Sequence, residues 1–387
     1  TSNVPKLRFK YGDTWQSSKL HFLADIKTGN KDLKDNVKGG KYPFFVRSNH
    51  VERINSYSFD GEAILIPGDG NVGQIYHYII GKFDFHQRVY KISDFDSNIM
   101  GKYIYYYFQK NFLKEALRNS VKATVDSLRL PTIKNFIINY PSIKEQEKIV
   151  KMLNNIEKKI NLLYKQQDAL NDFKKFCLQN LFEGKLRFIK RYNFDAKYVS
   201  DYLKESKIKA SNDDINKHLT VKLNLKGVIP RESKTIEKEG ATTQYIRKSG
   251  QFIYGKQNLY KGALGLIPKE LDNFLSSSDI PSFDFINSVN HLWFYYYFSR
   301  KSFYECLEKY STGTGSKRIS PTDFLKIKLF IPPLEIQEKI ASFLSLIDKK
   351  LDLTQNQIEN MEKFKKGLLQ QMFVYLCIFF NRFISLF

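Results

Sequence analysis

The chain has 387 residues, a formal net charge of +22 and three cysteines. At roughly 100 to 200 residues per domain, this length predicts two globular domains, each able to bury its own core. The chain is 26% charged and 42% hydrophobic, which excludes wholesale disorder, and its few scattered cysteines exclude a disulfide scaffold. We therefore expect a cytoplasmic protein. The longest apolar run, residues 374–387, is shorter than the roughly 20 residues of a membrane span, so we expect no membrane interaction.

The positive charge lies mostly in two blocks. Residues 1–140 have a net charge of +8, and residues 189–331 have a net charge of +9. Such a surplus suits a protein that binds a polyanion, because each Lys or Arg set against a phosphate releases a condensed counterion. The alternative is an ordinary basic protein from a Lys-rich, AT-rich genome. Charge alone does not choose between these two interpretations.

The first block, residues 1–140, has a mixed α and β pattern. Residues 62–67, 73–80 and 83–92 are rich in Ile, Val and aromatic residues between glycines, which is typical of strands. Residues 103–117 are predicted to form an amphipathic helix. A similar helix is predicted over residues 290–307 of the second block, so we expect both blocks to be α+β.

Gly68, Gly70 and Gly73 spell GxGxxG after the first β-like segment. In dinucleotide-binding folds this fingerprint opens a helix. Here residues 74–80 are β-branched and aromatic, and residues 67–70 (PGDG) have the composition of a turn. The sequence therefore predicts a β-turn at this position.

Residues 141–182 recur without gaps as residues 332–373, and 17 of the 42 aligned positions are identical. Apolar residues follow a 3-4 spacing in both copies, which predicts coiled-coil helices. Polar residues interrupt this seam at Gln167, Lys174, Thr354 and Lys365. Prolines precede both copies and mark the helix starts.

The repeat divides the chain into four segments. They are a first domain at 1–140, a central helix at 141–188, a second domain at 189–331 and a C-terminal helix at 332–380. We expect an α+β fold in which two long helices form an antiparallel coiled coil between two globular domains, with pseudo-two-fold internal duplication. The alternative is that each helix packs on its own domain as a long core helix.

Sequence motifs for catalysis are weak or missing. Residues 250–256 approach a P-loop, but Gln257 stands where Ser or Thr must supply a hydroxyl to Mg²⁺. Asp172 and Glu183 are interpreted as solvated charges of the central helix. The sequence has no paired Cys or His at zinc spacing and no adenine-methyltransferase string. The chain is therefore expected to bind and not to catalyse.

The alternation of two basic, dissimilar blocks with two similar helices resembles the specificity subunit of type I restriction-modification enzymes. The resemblance covers residues 4–373. Its matching strings are VPKLRF (4–9), GDGNVGQI (68–75), FHQRVY (85–90), RISPTDFLKIKLFIPPLEIQEKI (318–340) and FKKGLLQQMF (364–373). The duplicated layout, with a proline and QEKI at each helix start, makes the resemblance specific.

The resemblance implies that each block is a target-recognition domain for one half of a split sequence in double-stranded DNA. It implies that the helices separate the two domains and dock two modification subunits. Those subunits would bring S-adenosylmethionine and methylate adenine, and restriction subunits would add ATP-driven translocation and Mg²⁺-dependent cleavage. The chain itself would be non-catalytic, with no cofactor or metal of its own.

Base reading requires Arg, Lys, Asn or Gln at the groove edges, whereas phosphate contacts need only positive charge. The candidates in the first block are Arg47, Asn49, Asn71, Gln74, Gln87 and Arg88. The candidates in the second block are Lys256, Gln257, Asn258, Lys261, Lys317 and Arg318. For each of them, an ordinary surface role is the alternative.

Two other classes of function stay open: a coiled-coil protein that organises DNA without a restriction role, and a self-contained restriction-modification nuclease. One departure from the family pattern also needs interpretation. The pattern normally finishes near Phe373, whereas residues 374–387 continue as an apolar stretch. We interpret this stretch as an altered reading-frame end, and we expect DNA binding to survive its deletion.

Overall fold

The computed structural model describes residues 5–9, 14–119, 127–183, 195–232, 243–313 and 317–373. The chain forms two compact units. Unit 1 comprises Thr1–Tyr164 and Gln357–Phe387, and unit 2 comprises Lys165–Asn356. Each of the two long helices therefore begins in one unit and ends in the other.

Unit 1 combines a curled sheet with helices. Its elements in chain order are β1 (Gln16–Lys19), β2 (Asp25–Thr28), β3 (Tyr42–Phe45), β4 (Val51–Ile54), β5 (Phe59–Pro67), β6 (His77–Phe85), β7 (Val89–Ser93), α1 (Gly101–Asn119), α2 (Leu130–Lys134), β8 (Ile137–Tyr140) and α3 (Ile143–Phe182), which continues into unit 2. Six strands form one sheet in the order β2-β7-β5-β6-β3-β4, and β1 pairs with β8.

Two facing glycines allow the central hairpin of this sheet to bend. Gly61 of β5 lies opposite Gly81 of β6, and their φ angles are +156° and +124°. These positive values favour residues without a Cβ. Residues 84–85 at the end of β6 pair in parallel with β3. Residues 63–67 at the end of β5 pair with β7.

Helix α1 supplies much of the core of unit 1. Its fully buried aromatic residues lie within six consecutive positions and are Tyr103, Tyr106, Tyr107 and Phe108. Phe373, just after the second long helix, packs against Tyr103 and Tyr107 with ring centroids 5.3 and 5.9 Å apart. The end of that helix is thus part of the core of unit 1.

Unit 2 consists of short strands and helices. Its elements are β9 (Asp195–Tyr198), β10 (Leu203–Ser206), β11 (Leu219–Val221), β12 (Val228–Pro230), β13 (Gln244–Arg247), β14 (Phe252–Tyr254), β15 (Leu264–Leu266), β16 (Phe274–Ser277), β17 (Ser282–Phe285), α4 (His291–Phe298), α5 (Lys301–Cys306), α6 (Pro321–Leu325), β18 (Lys328–Ile331) and α7 (Leu334–Met372), which continues into unit 1. The main sheet has the order β10-β17-β14-β15, and three two-stranded sheets pair β11 with β12, β13 with β16 and β18 with β9.

An aromatic cluster fills the core of unit 2 around α6. The ring of Phe324 stacks on Phe252 at 5.6 Å and contacts Tyr254 at 4.7 Å between centroids. Phe283 and Phe298 complete the cluster at 5.2 and 5.4 Å from Phe324. All five side chains are fully buried. This cluster ties the main sheet to both α4 and α6.

The long helices pair with each other in both units. In unit 1, Glu157 of α3 bonds Lys365 of α7 at 2.8 Å. In unit 2, Lys174 of α3 bonds Asp348 of α7 at 2.5 Å. Unit 1 has a second pair, Tyr164 with Glu362, and unit 2 has a second pair, Gln167 with Gln355. Within each unit the residue number on α7 falls as that on α3 rises, so the helices are antiparallel there, as predicted. Both also pack on the domains: Ile149 and Leu153 belong to the core of unit 1, so the two arrangements offered as alternatives coexist.

The polar residues that interrupt the apolar seam find partners. The side-chain amide of Gln167 donates to the side-chain oxygen of Gln355 at 2.7 Å. The hydroxyl of Thr354, which is 1% exposed, donates to the carbonyl of Lys350 at 2.8 Å. Lys174 and Lys365 take part in the ion pairs described above. The interruptions are therefore satisfied polar contacts.

The start of each long helix repeats one arrangement of hydrogen bonds. In α3 the side-chain amide of Gln146 donates to the carbonyl of Pro141 at 2.9 Å. In α7 that of Gln337 donates to the carbonyl of Pro332, also at 2.9 Å. The prolines thus precede the helices as predicted, and the glutamine of each QEKI string bonds back to its proline.

Several predicted boundaries are wrong. Residues 73–76 belong to a turn, and the predicted strand over residues 83–92 is broken by a turn at residues 86–88. The predicted helix over residues 290–307 ends at Phe298 and restarts at Lys301. Residues 185–188, which repeat the KLRF string of residues 6–9, and residues 374–387 lie outside the described residues. Within the described parts of the chain, no helix is long and apolar enough to cross a membrane.

Candidate nucleic-acid interface

The glycine-rich segment after β5 is a turn, as predicted. Strand β5 ends at Pro67 and β6 begins at His77, with no helix between them. Gly70 and Gly73 have φ angles of +78° and +71°. A Cβ at Gly73 would lie 2.8 Å from that of Ala116 on α1, so glycine is needed here for both conformation and close packing. The turn exposes the side chains of Asn71 and Gln74.

Two of the predicted arginines converge on one carboxylate in this turn. Nη1 of Arg47 donates to both oxygens of Asp69, at 3.3 and 3.0 Å. Nη1 of Arg88 donates to Oδ2 of Asp69 at 2.8 Å. The Asp69 side chain is only 9% exposed, whereas those of Arg47 and Arg88 are 46% and 63% exposed. Two exposed arginine side chains are thus bonded to one buried carboxylate.

The remaining candidates of unit 1 lie around this pair. Asn49 is exposed on the loop after β3, and Gln87 is exposed beside Arg88. The amide nitrogen of the Gln87 side chain donates to Asp32 at 3.0 Å. The sequence identified Arg47, Gln87 and Arg88 but missed Asp69, although it lies in the GDG string of the turn.

The imidazole of His86 lies under the same surface. It is 3% exposed, and its Nδ1 accepts a hydrogen bond from the backbone N–H of Arg88 at 2.9 Å. Burial, assisted by the positive charge of Arg47, lowers the pKa of His86. The neutral ring is therefore the form that supports the turn before β7.

We expect a titration of the His86 ring by NMR to give a pKa below the ordinary value of about 6.5. The unfolded chain takes up this proton first, so His86 contributes stability above about pH 6.5 that is lost as the pH falls. Arg47→Gln removes a charge that lowers the pKa of His86, and should raise that pKa. A value for the native protein at or above that of a free histidine would contradict this account.

The candidates of unit 2 also gather at a turn after a central strand. Strand β14 ends at Tyr254, and Lys256, Gln257 and Asn258 follow as half-buried residues. The backbone N–H of Lys256 donates to the carbonyl of Asp279 at 2.9 Å, and its carbonyl accepts from Ile319 at 2.9 Å. A single-turn helix follows at Leu259–Lys261. The glycine and lysine at 255–256 therefore do not form a phosphate loop that opens a long helix.

The backbone contacts of Lys256 bring Arg318 and Asp279 together. Nη1 of Arg318 donates to Oδ1 of Asp279 at 3.2 Å. Lys317 is exposed and pairs with Glu308 at 2.7 Å, and this partner raises the pKa of Lys317. Lys261 is exposed at the end of the single-turn helix.

A buried arginine that the sequence did not single out lies in the same unit. Arg247 of β13 is 1% exposed. Its guanidinium donates to the hydroxyls of Ser276 and Ser282, at 2.7 and 3.0 Å, and to the carbonyl of Ser206 at 3.1 Å. Burial lowers its pKa to about 10. An arginine on a β-like segment gives no sequence signal for such a role.

Comparison with known proteins assigns the family. The model of the type I restriction modification DNA specificity domain matches this chain twice, over residues 12–172 and 170–363. The chain belongs to the type I restriction-modification specificity family. The two matches contain the two basic blocks and the two arginine-bearing turns.

Three relatives illustrate this membership. The chain is 30% identical over 176 residues to the type I restriction enzyme EcoDI specificity subunit of Escherichia coli, a match covering 44% of this chain and 38% of that one. It is 24% identical over 281 residues to the putative type I restriction enzyme MjaX specificity subunit of Methanocaldococcus jannaschii, covering 67% and 63%. With the MjaVIII specificity subunit of that organism it shares 27% identity over 154 residues, covering 38% and 36%. The chain thus matches less than two thirds of the length of each relative.

Solved structures of the specificity family share the fold. The S subunit of a type I restriction-modification system from M. genitalium is 16% identical, with a TM-score of 0.68 over 96% of this chain and 100% of that one. A chain from a study of complex assembly and conformational transition in the type I system is 11% identical, with a TM-score of 0.52 over 94% and 98%. At these identities the likeness establishes the fold alone.

Proposed function

We propose that this chain is the DNA-recognition subunit of a type I restriction-modification enzyme. Each of its two specificity domains would read one half of a split target in double-stranded DNA. The observation that carries the proposal is the double family match, with one match over each basic block. Each unit also presents an arginine beside the turn that follows a central strand, Arg88 in unit 1 and Arg318 in unit 2. Arginine is the commonest side chain in specific base contacts.

The proposal assigns the chain a scaffolding role beside recognition. Two modification subunits would dock on the long helices, and restriction subunits would join the complex in the cytoplasm. S-adenosylmethionine, ATP and Mg²⁺ would belong to those partner subunits, and this chain would be non-catalytic. Apolar side chains exposed on the helices support docking there, because the contact of an apolar side chain with water is unfavourable. Such residues include Leu162, Leu346 and Leu353, which are 61%, 62% and 59% exposed.

Genome-wide detection of N6-methyladenine by long-read sequencing, with and without this gene, tests the proposal. We expect a motif of two short specific halves around a fixed unspecified gap, methylated only when the gene is present. Methylation that does not depend on the gene would contradict the proposal. A binding assay with purified modification subunits would then separate the other classes of function. Binding without sequence preference would favour a DNA-organising protein, and cleavage by the chain alone would favour a self-contained nuclease.

Deletion of residues 374–387 is expected to leave DNA binding by the assembled complex unchanged within about twofold. The described core of unit 1 already includes the end of α7, with Met372 and Phe373. A fluorescence anisotropy titration with the methylated motif would measure the effect. A chain that also lacks Phe373 is the control, because this side chain is 3% exposed and packs on α1. Loss of binding when residues 374–387 are deleted and Phe373 is kept would overturn the interpretation of an altered reading-frame end.

A further inference from the structure

The contacts of Asp69 suggest a role that goes beyond folding. Its carboxylate is almost buried, yet both of its cationic partners are at the surface. A buried carboxylate needs compensation, but one arginine would suffice for that. Asp32, which accepts a hydrogen bond from Gln87, also lies near enough to Arg88 to raise its pKa. Compensation of the Asp69 charge therefore does not require the second guanidinium.

The three residues come from different parts of the sheet. Arg47 follows β3, Asp69 follows β5 and Arg88 precedes β7. The main chain holds these segments in place as well: the N–H of Gly68 donates to the carbonyl of Arg88 at 2.8 Å. The carboxylate thus fixes two long side chains relative to a rigid backbone. An unrestrained arginine has about 2 kcal/mol of rotamer entropy to lose on binding, so the arrangement prepares both side chains for contact.

Each guanidinium uses only Nη1 for this contact. Among the described residues, neither side chain makes a further hydrogen bond to protein, so Nε and Nη2 keep their donors on both arginines. Two parallel N–H donors on one edge of a guanidinium match the O6 and N7 acceptors of guanine in the major groove. A phosphate would accept the same donors, but phosphate binding does not require two arginines fixed on one carboxylate.

Unit 2 repeats the arrangement in a weaker form. Asp279 holds Arg318 at 3.2 Å beside the turn that carries Lys256. Here the carboxylate is 48% exposed and bonds a single arginine. Water competes for an exposed pair of this kind, so it restrains the arginine less.

We propose that Asp69 is a positioning residue that sets base specificity, holding Arg47 and Arg88 so that their free N–H edges read guanine in one half of the DNA target. This inference rests on the proposed function. Asp69 itself does not contact DNA; it acts through the two arginines. Its loss therefore affects which base is accepted more than whether DNA is bound.

The test uses the full chain assembled with its modification subunits. The methylated motif, measured by long-read sequencing, is compared for the native protein, Asp69→Asn and Asp279→Asn. Asparagine has nearly the same shape as aspartate but lacks the charge that holds two cations. We expect Asp69→Asn to reduce the preference for G·C at one or two positions of one half-site by about 5- to 150-fold. The other half-site and the gap should stay unchanged, and Asp279→Asn should affect only the other half-site.

The second measurement is the affinity for DNA that lacks the motif, and a merely structural role of Asp69 would change this affinity. It should stay within about twofold of native for Asp69→Asn, because the cluster then carries more positive charge. Arg47→Gln and Arg88→Gln cover the case in which Asp69→Asn fails to fold, since Asp69 keeps one partner in each. Each should relax a single G·C position in the same half-site.

An unchanged motif in Asp69→Asn, or in both arginine variants, would overturn the inference. Equal loss of binding to all DNA sequences would overturn it too, because that is the result expected of two phosphate contacts. A native protein that directs no methylation of a split motif would instead refute the proposed function. The two failures are therefore distinguishable.

Discussion

At pH 11 the protein is expected to lose about 5 kcal/mol of folding stability relative to pH 8 and to unfold cooperatively. The cause is a set of buried tyrosines in both units. Burial is the main reason that their pKa values lie above the ordinary value near 10. They are Tyr103, Tyr106, Tyr254 and Tyr296.

The hydroxyls of these tyrosines all act as donors. That of Tyr103 donates to the carbonyl of Asn139 at 2.8 Å, and that of Tyr254 to the carbonyl of Ile319 at 3.1 Å. That of Tyr296 donates to Asp348 at 2.7 Å. A phenolate has no proton to donate, so ionisation would break each bond and bury a charge. The folded state therefore keeps these protons well above pH 10.

The sign of the effect follows from linkage. The folded-state pKa is raised, so the unfolded chain releases its protons first as the pH rises through about 10. Stability is complete below that pH and is lost above it, by about 1.4 kcal/mol per tyrosine for each pH unit. Four tyrosines one unit above pH 10 give the total stated above, against a typical stability of about 5–15 kcal/mol.

Tyrosinate absorbance and circular dichroism, followed together against pH, would check this. We expect the tyrosinate absorbance of the buried tyrosines to develop in one step with the loss of secondary structure. Tyr106→Phe should make the alkaline loss about 1.4 kcal/mol smaller per pH unit. Tyr57→Phe is the matched control, because that ring is 45% exposed, and should change nothing. Ionisation of these four tyrosines near pH 10 in an intact fold would contradict the prediction.

The sequence predicts the helical framework well because the evidence for it is local or repeated. Prolines precede α3 and α7, and an aligned copy supports each helix. The turn at Gly70 is predicted because the residues after it favour a strand over a helix. These inferences need no knowledge of which segments meet in space, and the structure confirms them.

Contacts between distant residues could not be predicted in the same way. Asp69 meets Arg47 and Arg88 only because β3, β5 and β7 belong to one sheet. The order of strands in that sheet cannot be inferred from the sequence pattern. The break between α4 and α5 has a similar cause. Nε of Arg300 donates to the carbonyl of Tyr297 at 3.0 Å, and the guanidinium lies 4.8 Å from the ring centre of Phe182 on α3. The contact with Phe182 joins residues far apart in the sequence, so the helical pattern of residues 290–307 does not predict it.

Glu157→Ala is expected to destabilise unit 1 by about 3–5 kcal/mol, more than the equivalent change in unit 2. Glu157 accepts from Tyr106 and Lys365, each at 2.8 Å, and lies 3.7 Å from Lys102. The two lysine side chains are only 19% and 15% exposed. Removing the carboxylate leaves both ammonium groups close together and largely desolvated, and burial already lowers the pKa of Lys102. Glu62 remains near Lys102, but its effect is weaker than that of Glu157. Buried charge left with so little compensation is costly.

The duplication supplies a matched control in the same chain. Asp348 occupies the equivalent position in unit 2, where it bonds Tyr296 and Lys174. Among the described residues, Lys174 is the lysine that pairs with Asp348. When YYYF at 105–108 is aligned on YYYF at 295–298, Leu292 stands at the position equivalent to Lys102. Asp348→Ala therefore leaves one ammonium group without its carboxylate partner, and we expect it to lower the free energy of unfolding by about 1–2 kcal/mol.

Urea unfolding of the single variants and of Lys102→Leu/Glu157→Ala would test this account. The double variant recreates in unit 1 the arrangement that Asp348→Ala leaves in unit 2, so it should be more stable than Glu157→Ala by about 1–2 kcal/mol. Equal costs for Glu157→Ala and Asp348→Ala, with no recovery in the double variant, would show that repulsion between Lys102 and Lys365 is not what makes Glu157 important. The copies would then be energetically equivalent. The expected inequality would instead show that the pairing of α3 with α7 depends more strongly on charge in unit 1.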